Sequence, residues 1–287
     1  MTPSTVPGVV SNADSGVPRL TLNNGTTVPQ LGFGVFKVDP RETERIVSDA
    51  LQVGYRHIDT AAVYGNEAGV GTAIAASGVQ RDELFVTTKL WDTRHLDAEA
   101  AFDESLEKLG LDYVDLFLIH WPNPRQNEYI QAYRSLEKIY ATGRAKAIGA
   151  SNFLVPQLER LLAETSIMPA VDQIELHPAH QQPEVTSFAR EHGIQIEAWG
   201  PLGQGKYDLL ELPEVTAPAL AHGKSAAQVV IRWHLQLGHV LFPKSTRRER
   251  MAENFDVFDF ELSESEVSAI TALEREGRVG TDPSVHG

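Results

Sequence analysis

Reactive side chains stand where apolar runs of this chain stop. YRHID (55–59) reads as a buried strand ending on an aspartate, and five residues on, in a small-residue Gly-Asn turn, comes Tyr64. LFVTTKL (84–90) carries Lys89 near its end, and VDLFLIHW (114–121) carries His120. A free tyrosine, with a pKa of about 10, donates a proton sluggishly at neutral pH. A lysine ammonium a few ångströms away stabilises the phenolate and lowers that value, and a carboxylate keeps the lysine charged in a dry site. The expected division of labour follows. Asp59 holds Lys89, Lys89 tunes Tyr64, Tyr64 is a general acid, and His120 donates a hydrogen bond to a substrate oxygen. Such a group protonates a carbonyl oxygen as charge develops on it; the nucleophile must come from elsewhere. Any one of the four is ordinarily structural. Four at the ends of consecutive strands are hard to explain as packing, because buried charges add no stability over apolar neighbours.

Something must bring these residues to one place. Apolar β-rich runs alternate with amphipathic stretches: FGVF (33–36), YRHID, LFVTTKL, VDLFLIHW, AKAIGAS (145–151), AVDQIEL (170–176), IQIEAW (194–199) and HVLFPK (239–244). Helices are expected from Asp39-Pro40 to Gly54, from Asn66, and over 98–109, 127–141, 155–164, 183–192, 225–237 and 247–255. A long loop precedes the seventh. Asp59, Lys89, His120 and Ser151 fall 30, 31 and 31 residues apart. Eight such units with strands apolar on both faces predict a (β/α)8 TIM barrel, whose active site lies at the C-terminal ends of the strands. A doubly wound sheet is the competing architecture, but the chain has no GxGxxG turn. RLTLNNGTTVPQLG (19–32) reads as a hairpin around Asn24-Gly25 that caps the N-terminal end of the barrel. Ser263 with Glu266 forms a capping box for a C-terminal helix, and the last dozen residues read as an irregular surface tail. The expected organisation is a disordered tail over 1–18 and one domain over 19–287.

Composition narrows the function classes. The 287 residues are 42% apolar and 22% charged, with 25 Lys plus Arg against 39 Asp plus Glu, a net charge of −14. An acidic chain of this kind is a poor nucleic-acid ligand as a whole. The absence of cysteine excludes disulfides, thiolate nucleophiles and Cys-ligated zinc, and fits a cytoplasmic protein. No apolar run approaches the ~20 residues of a membrane span. No signal peptide is evident in the first eighteen residues, and Thr2 rules out myristoylation.

GYRHIDTAAVYGNE, TTKLW, HWP, GASNF, QIELHP and FPKSTRRERMAENFDVFDFEL, in this order and spacing, resemble the signatures of the aldo-keto reductases over about residues 19–275. WGPLGQGKYD resembles in particular the bacterial 2,5-diketo-D-gluconate reductases. The resemblance implies the barrel, hydride from NADPH, a small-molecule carbonyl substrate, a monomer, and a catalytic tetrad of Asp59, Tyr64, Lys89 and His120. It implies that Ser151, Asn152 and Gln173 hold the carboxamide and that Trp199 stacks on the nicotinamide. The loop Gly200, Pro201, Leu202, Gly203 and Gln204 would cross the pyrophosphate. Lys244, Ser245, Thr246, Arg247 and Arg250 would grip the 2′-phosphate, with Glu253 and Asn254 at the adenine. The cationic cluster also suits phosphate on its own chemistry, since a planar guanidinium pairs bidentately with it at a helix N-terminus. Phe36, Trp91 and Trp121 would line the substrate pocket with His120.

Other readings weigh less. GPLGQGK approximates a P-loop, but Tyr207 stands where the magnesium-binding hydroxyl belongs. His177 and His180 in HPAH invite a metal, without cysteine or a carboxylate pattern to complete it, and no metal is expected. Two alternatives stay open: an aldolase-type barrel with Lys89 as Schiff-base lysine, and an NADPH-binding regulatory subunit without turnover.

Overall fold

The computed structural model describes residues 16–286. A two-stranded antiparallel hairpin, β1 (Arg19–Thr21) and β2 (Thr27–Pro29), opens the chain. Then follow β3 (Phe33–Gly34), α1 (Pro40–Val53), β4 (His57–Asp59), α2 (Glu67–Ala76), β5 (Phe85–Leu90), α3 (Ala98–Leu109), β6 (Val114–Ile119) and α4 (Tyr129–Ala141). The second half runs β7 (Ala145–Ser151), α5 (Val155–Glu164), β8 (Val171–Glu175), α6 (Pro183–Glu191), β9 (Gln195–Trp199), α7 (Pro213–His222), α8 (Ala226–Gln236), β10 (Val240–Leu241), α9 (Arg248–Phe255) and α10 (Glu264–Thr271).

Strands β3 to β10 pair in parallel in chain order. A parallel bridge between Leu31 and Leu241 closes the ring, with Gly32 N–H donating to Leu241 O at 2.9 Å and Leu241 N–H to Gln30 O at 3.1 Å. The fold is the (β/α)8 barrel expected from the repeat. Local chemistry sets the helix ends. Asp39 accepts from Arg41 N–H to start α1, Pro40 occupies its first turn, and Gly54 ends it at φ 126°. Ser263 and Glu266 form the expected reciprocal cap of α10.

The hairpin closes the bottom. Asn23 and Asn24 donate to the Pro169 and Lys146 carbonyls, where β8 and β7 begin. Leu20, Leu22 and Val28 pack into the barrel floor with Phe85, Leu118 and Phe242. The ordered fold starts earlier than 19: Val17 is buried and the Pro18 carbonyl accepts from Gln30 N–H. The rest of the expected N-terminal tail, 1–15, lies outside the described residues. Two further expectations change. The long segment between β9 and α8 contains α7, whose apolar periodicity is masked by Pro218 in its middle. The C-terminal residues do not trail over the surface; they cross the mouth of the barrel.

Candidate active site

The tetrad residues meet at the C-terminal ends of β4, β5 and β6. Lys89 is fully buried and its Nζ donates to Asp59 Oδ1, Asp59 Oδ2 and Thr60 O, each at 2.8 Å. All three ammonium protons are therefore committed, which leaves no unprotonated amine of the kind a Schiff base requires. Tyr64 ends a short 3-10 turn (Ala62–Tyr64) closed by Gly65 in the left-handed region. Asn66 fixes that turn: its amide donates to the Val35 carbonyl, and its oxygen accepts from Thr60 Oγ1. The Lys89 ammonium lies 5.3 Å from the centre of the Tyr64 ring, and His120 meets the same ring edge-on at 5.5 Å. Phe36 and Trp91 flank the pair, at 5.0 Å from Tyr64 and 5.4 Å from His120.

Electrostatics at Tyr64 run opposite to the sequence expectation. Burial, then the nearby Asp59 carboxylate, holds the phenol well above its usual range. The Lys89 protons go to Asp59 and Thr60, not to the tyrosine oxygen, so the resting residue is firmly a neutral phenol. That is the protonation state a proton donor needs. His120 is neutral as well: burial, with Lys89 and His286 nearby, pushes it well below the usual histidine range.

The expected carboxamide group is contiguous. Ser151 Oγ donates to Gln173 O, and Asn152 Nδ2 to His120 O and Ser151 Oγ. Trp199 Nε1 donates to Asn152 Oδ1 at 2.8 Å, occupying one acceptor there. Gln173 spends both amide protons inward, on Asp59 Oδ1 and Glu197 Oε2 at 2.9 Å each, which leaves its Oε1 for a donor. The loop after β9 is shaped for close approach: Gly200, Gly203 and Gln204 all have positive φ, and a Cβ on Gly203 would sit 2.3 Å from the Tyr207 ring. His177, a metal candidate by sequence, links Glu175 to that loop through Tyr207.

The basic cluster is exposed at the start of α9. Ser245 Oγ accepts from Arg247 N–H at 3.0 Å, and Arg247 comes no nearer to Glu249 than 4.0 Å. Arg250 has no ion-pair partner among the described residues, whereas Arg248 is tied to Asp49 on α1. Lys244 is pushed below its usual range by burial and by Lys37, which follows Phe36. Lys37 thus joins the cluster to the tetrad's side of the mouth. Thr246 is exposed with the arginines; Glu253 is exposed and Asn254 buried on α9. No described contact brings Glu253 or Asn254 to the tetrad.

Sequence reading missed the cover of the site. Glu175, at the end of β8, accepts from Val279 and Gly280 N–H, and Gly280 lies against Trp199. From there the chain reaches His286, which stacks on Trp121 at 4.3 Å and pairs with Asp92 at 3.0 Å. Asn123 bonds the same Asp92 oxygen.

These features, a barrel with a Tyr–Lys–Asp–His mouth beside an exposed arginine cluster, accompany a match of residues 29–275 to the model of the Aldo/keto reductase family. The chain belongs to that family. It is 51% identical to an aldo-keto reductase of Mycolicibacterium smegmatis over 93% of this chain and 97% of the relative. It is 48% identical to methylglyoxal reductase DkgA of Yersinia pestis, covering 94% and 98% of the two chains. A solved structure of a Gox0644 mutant in complex with NADPH is 40% identical, with a TM-score of 0.89 over 99% of this chain and 100% of that one. As an aldo/keto reductase the protein is an oxidoreductase of carbonyl compounds, and among its described residues no helix is long and apolar enough to cross a membrane.

Proposed function

We propose that this reductase converts aldehydes and ketones to alcohols with NADPH, and that Tyr64 gives the proton. The observation that carries the reading is the Asp59–Lys89 pair enclosed beneath a neutral Tyr64, with neutral His120 against its ring. Bound NADPH supplies the hydride to the carbonyl carbon. The chain's residues do the rest. Tyr64 passes its hydroxyl proton to the carbonyl oxygen, and the charge left on the phenolate is met by the Lys89 field. His120 Nδ1 is buried without a partner among the described residues. Keeping the ring proton on Nε2 leaves only a lone pair unsatisfied there and gives Nε2 to the substrate oxygen.

The residues present fit the cofactor. Gln173 Oε1, Ser151 and Asn152 are placed for the carboxamide once Trp199 turns from Asn152 to stack on the ring. Gly200 to Gln204 form a loop that a pyrophosphate can approach. Lys244, Ser245, Thr246, Arg247 and Arg250 offer donors to a 2′-phosphate, with Glu253 and Asn254 for the adenine. Phe36, Trp91 and Trp121 wall the substrate side. The substrate class is small dicarbonyls and keto sugars such as 2,5-diketo-D-gluconate. The relative named a methylglyoxal reductase supports the first, and the WGPLGQGKYD resemblance the second. Cytoplasmic location and a monomeric state complete the reading; light scattering after size-exclusion chromatography tests the latter.

The experiment is NADPH consumption with methylglyoxal, nitrobenzaldehyde and diketogluconate, for wild type and Tyr64→Phe. Loss of the acid is expected to cut kcat by about 100-fold or more while NADPH still binds. Equal rates in the two proteins would remove Tyr64 from the role. NADPH binding without turnover in wild type would favour the regulatory subunit.

A further inference from the structure

Beneath the Asp59–Lys89 pair the barrel holds a second acid that this chemistry does not use. Glu197 lies on β9 with no solvent exposure. Its Oε2 accepts from Gln173 Nε2 at 2.9 Å, and the other proton of that amide goes to Asp59 Oδ1 at 2.9 Å. One amide on β8 therefore spans two carboxyl groups on strands that do not touch. Glu197 Oε1 is buried without a partner among the described residues. The groups that act on this acid are Gln173, Asp59 on β4 and Lys89 on β5.

Charge decides its state. One ammonium faces two acids, and its three protons already go to Asp59 and the Thr60 carbonyl. It neutralises one carboxylate. A second in the same enclosed space would be an unpaired buried ion, which a group avoids by keeping its proton. Burial accordingly pushes Glu197 up, and the Asp59 charge adds to this, against the pull of Gln173 and Lys89; the result is about 8.

We propose that Glu197 is a positioning residue of this reductase: as a neutral carboxylic acid it holds Gln173, and through it Asp59, and its ionisation turns the site down. The kinetic part rests on the reading of Tyr64 as proton donor. With Glu197 neutral, the Gln173 amide is locked between two acceptors and its oxygen is aimed away from them. When Glu197 loses its proton to solvent, a second negative charge appears below Lys89. It opposes the negative charge that grows on the substrate and tyrosine oxygens. The effect falls on kcat, while KM for an uncharged carbonyl changes little.

Glu197→Gln separates the states, because glutamine has the shape of the neutral acid and cannot ionise. With methylglyoxal and saturating NADPH, wild-type kcat is expected to fall about tenfold per pH unit above an inflection near about 8 that the variant lacks. Near pH ~6.5 the two should agree within about twofold. The same inflection in both proteins, or a pH-independent loss in the variant, would overturn the proposal. A second measurement needs neither turnover nor the variant. In cofactor-free wild type carrying carboxyl-labelled glutamate, infrared difference spectra should show one glutamic-acid carbonyl band at neutral pH that vanishes through about 8. The label sets it apart from buried Asp172. No such band means that Glu197 is already ionised and the proposal fails, whatever becomes of Tyr64→Phe.

Discussion

Arg250 stands exposed in the first turn of α9 with no acid paired to it among the described residues, in a chain of net charge −14. A guanidinium left unpaired amid so many carboxylates is available to an anion. A charge-assisted hydrogen bond to phosphate contributes about 1.5–3 kcal/mol. Arg250→Ala should therefore weaken NADPH binding by about 10- to 100-fold, with NADH binding unchanged, as read by fluorescence titration. Equal weakening of both nucleotides would place Arg250 elsewhere than at the 2′-phosphate. Asp59, Lys89 and His120 were legible because reactive types recur at the βα period, and Tyr64 because it follows Asp59 by five residues in a Gly-Asn turn; neither signal needs three-dimensional knowledge. Glu197 was not. In IQIEAW nothing in the residue types says whether the acid between Ile196 and Ala198 faces the barrel interior or the helices. Only the barrel register, which sets Gln173 beside Glu197, shows that it points at Asp59. Lys37 was hidden for a different reason: it reaches the site by a positive-φ turn after β3, which its residue type does not announce. The sign of the Tyr64 shift was also beyond the sequence, because it depends on how deeply the phenol is buried and on the Asp59 carboxylate beside it.

At the scale of elements, eight strands and most helices could be read from periodicity and caps, and the hairpin from Asn-Gly. The C-terminal strap could not. Its residues, REGRVGTDPSVH, have no period, and beyond short local bonds such as Ser284 N–H to Asp282 their placement comes from tertiary contacts. Glu175 takes the Val279 and Gly280 N–H groups, the Gly280 backbone fits against Trp199, and His286 closes on Trp121 and Asp92. Burial pushes the Glu175 carboxyl up, but the bonds from His177, Val279 and Gly280 outweigh it and hold it below its usual range. The strap is thus fastened at one end by an anion and at the other by a ring stack worth about 0.5–1.5 kcal/mol. His286→Ala should free the far end, raising KM for carbonyl substrates by about two- to tenfold and exposing the tail to carboxypeptidase. An unchanged KM with a readily digested tail would show that the strap does not wall the pocket.

For the whole molecule, the buried titratable groups set how stability varies with pH. Burial pushes His57 down to about 3, His95 and His239 to about 4, His120 and His234 well below 6.5, and His180 below it. Below pH 6.5 the unfolded chain takes up protons that these six refuse in the fold, so their contribution is lost as pH falls. Asp172 and Glu197 act in the other direction. Burial raises both to about 8 from 3.8 and 4.5, so the fold keeps protons that the unfolded chain releases. Their contribution is complete below about pH 4 and is lost as pH climbs to about 8. Between about pH 4.5 and 6.5 six histidines oppose two acids and stability rises with pH. From 6.5 to about 8 the acids act alone and it falls, by about 1.4 kcal/mol per unit for each. Urea midpoints should therefore peak near pH 6.5, with the steeper slope on the acid side. Glu197→Gln should remove about half of the alkaline slope. A midpoint that keeps rising from pH 6.5 to 8 would mean that neither acid holds its proton in the fold. The same proton on Glu197 would then limit both the alkaline stability of the barrel and the alkaline range of its active site.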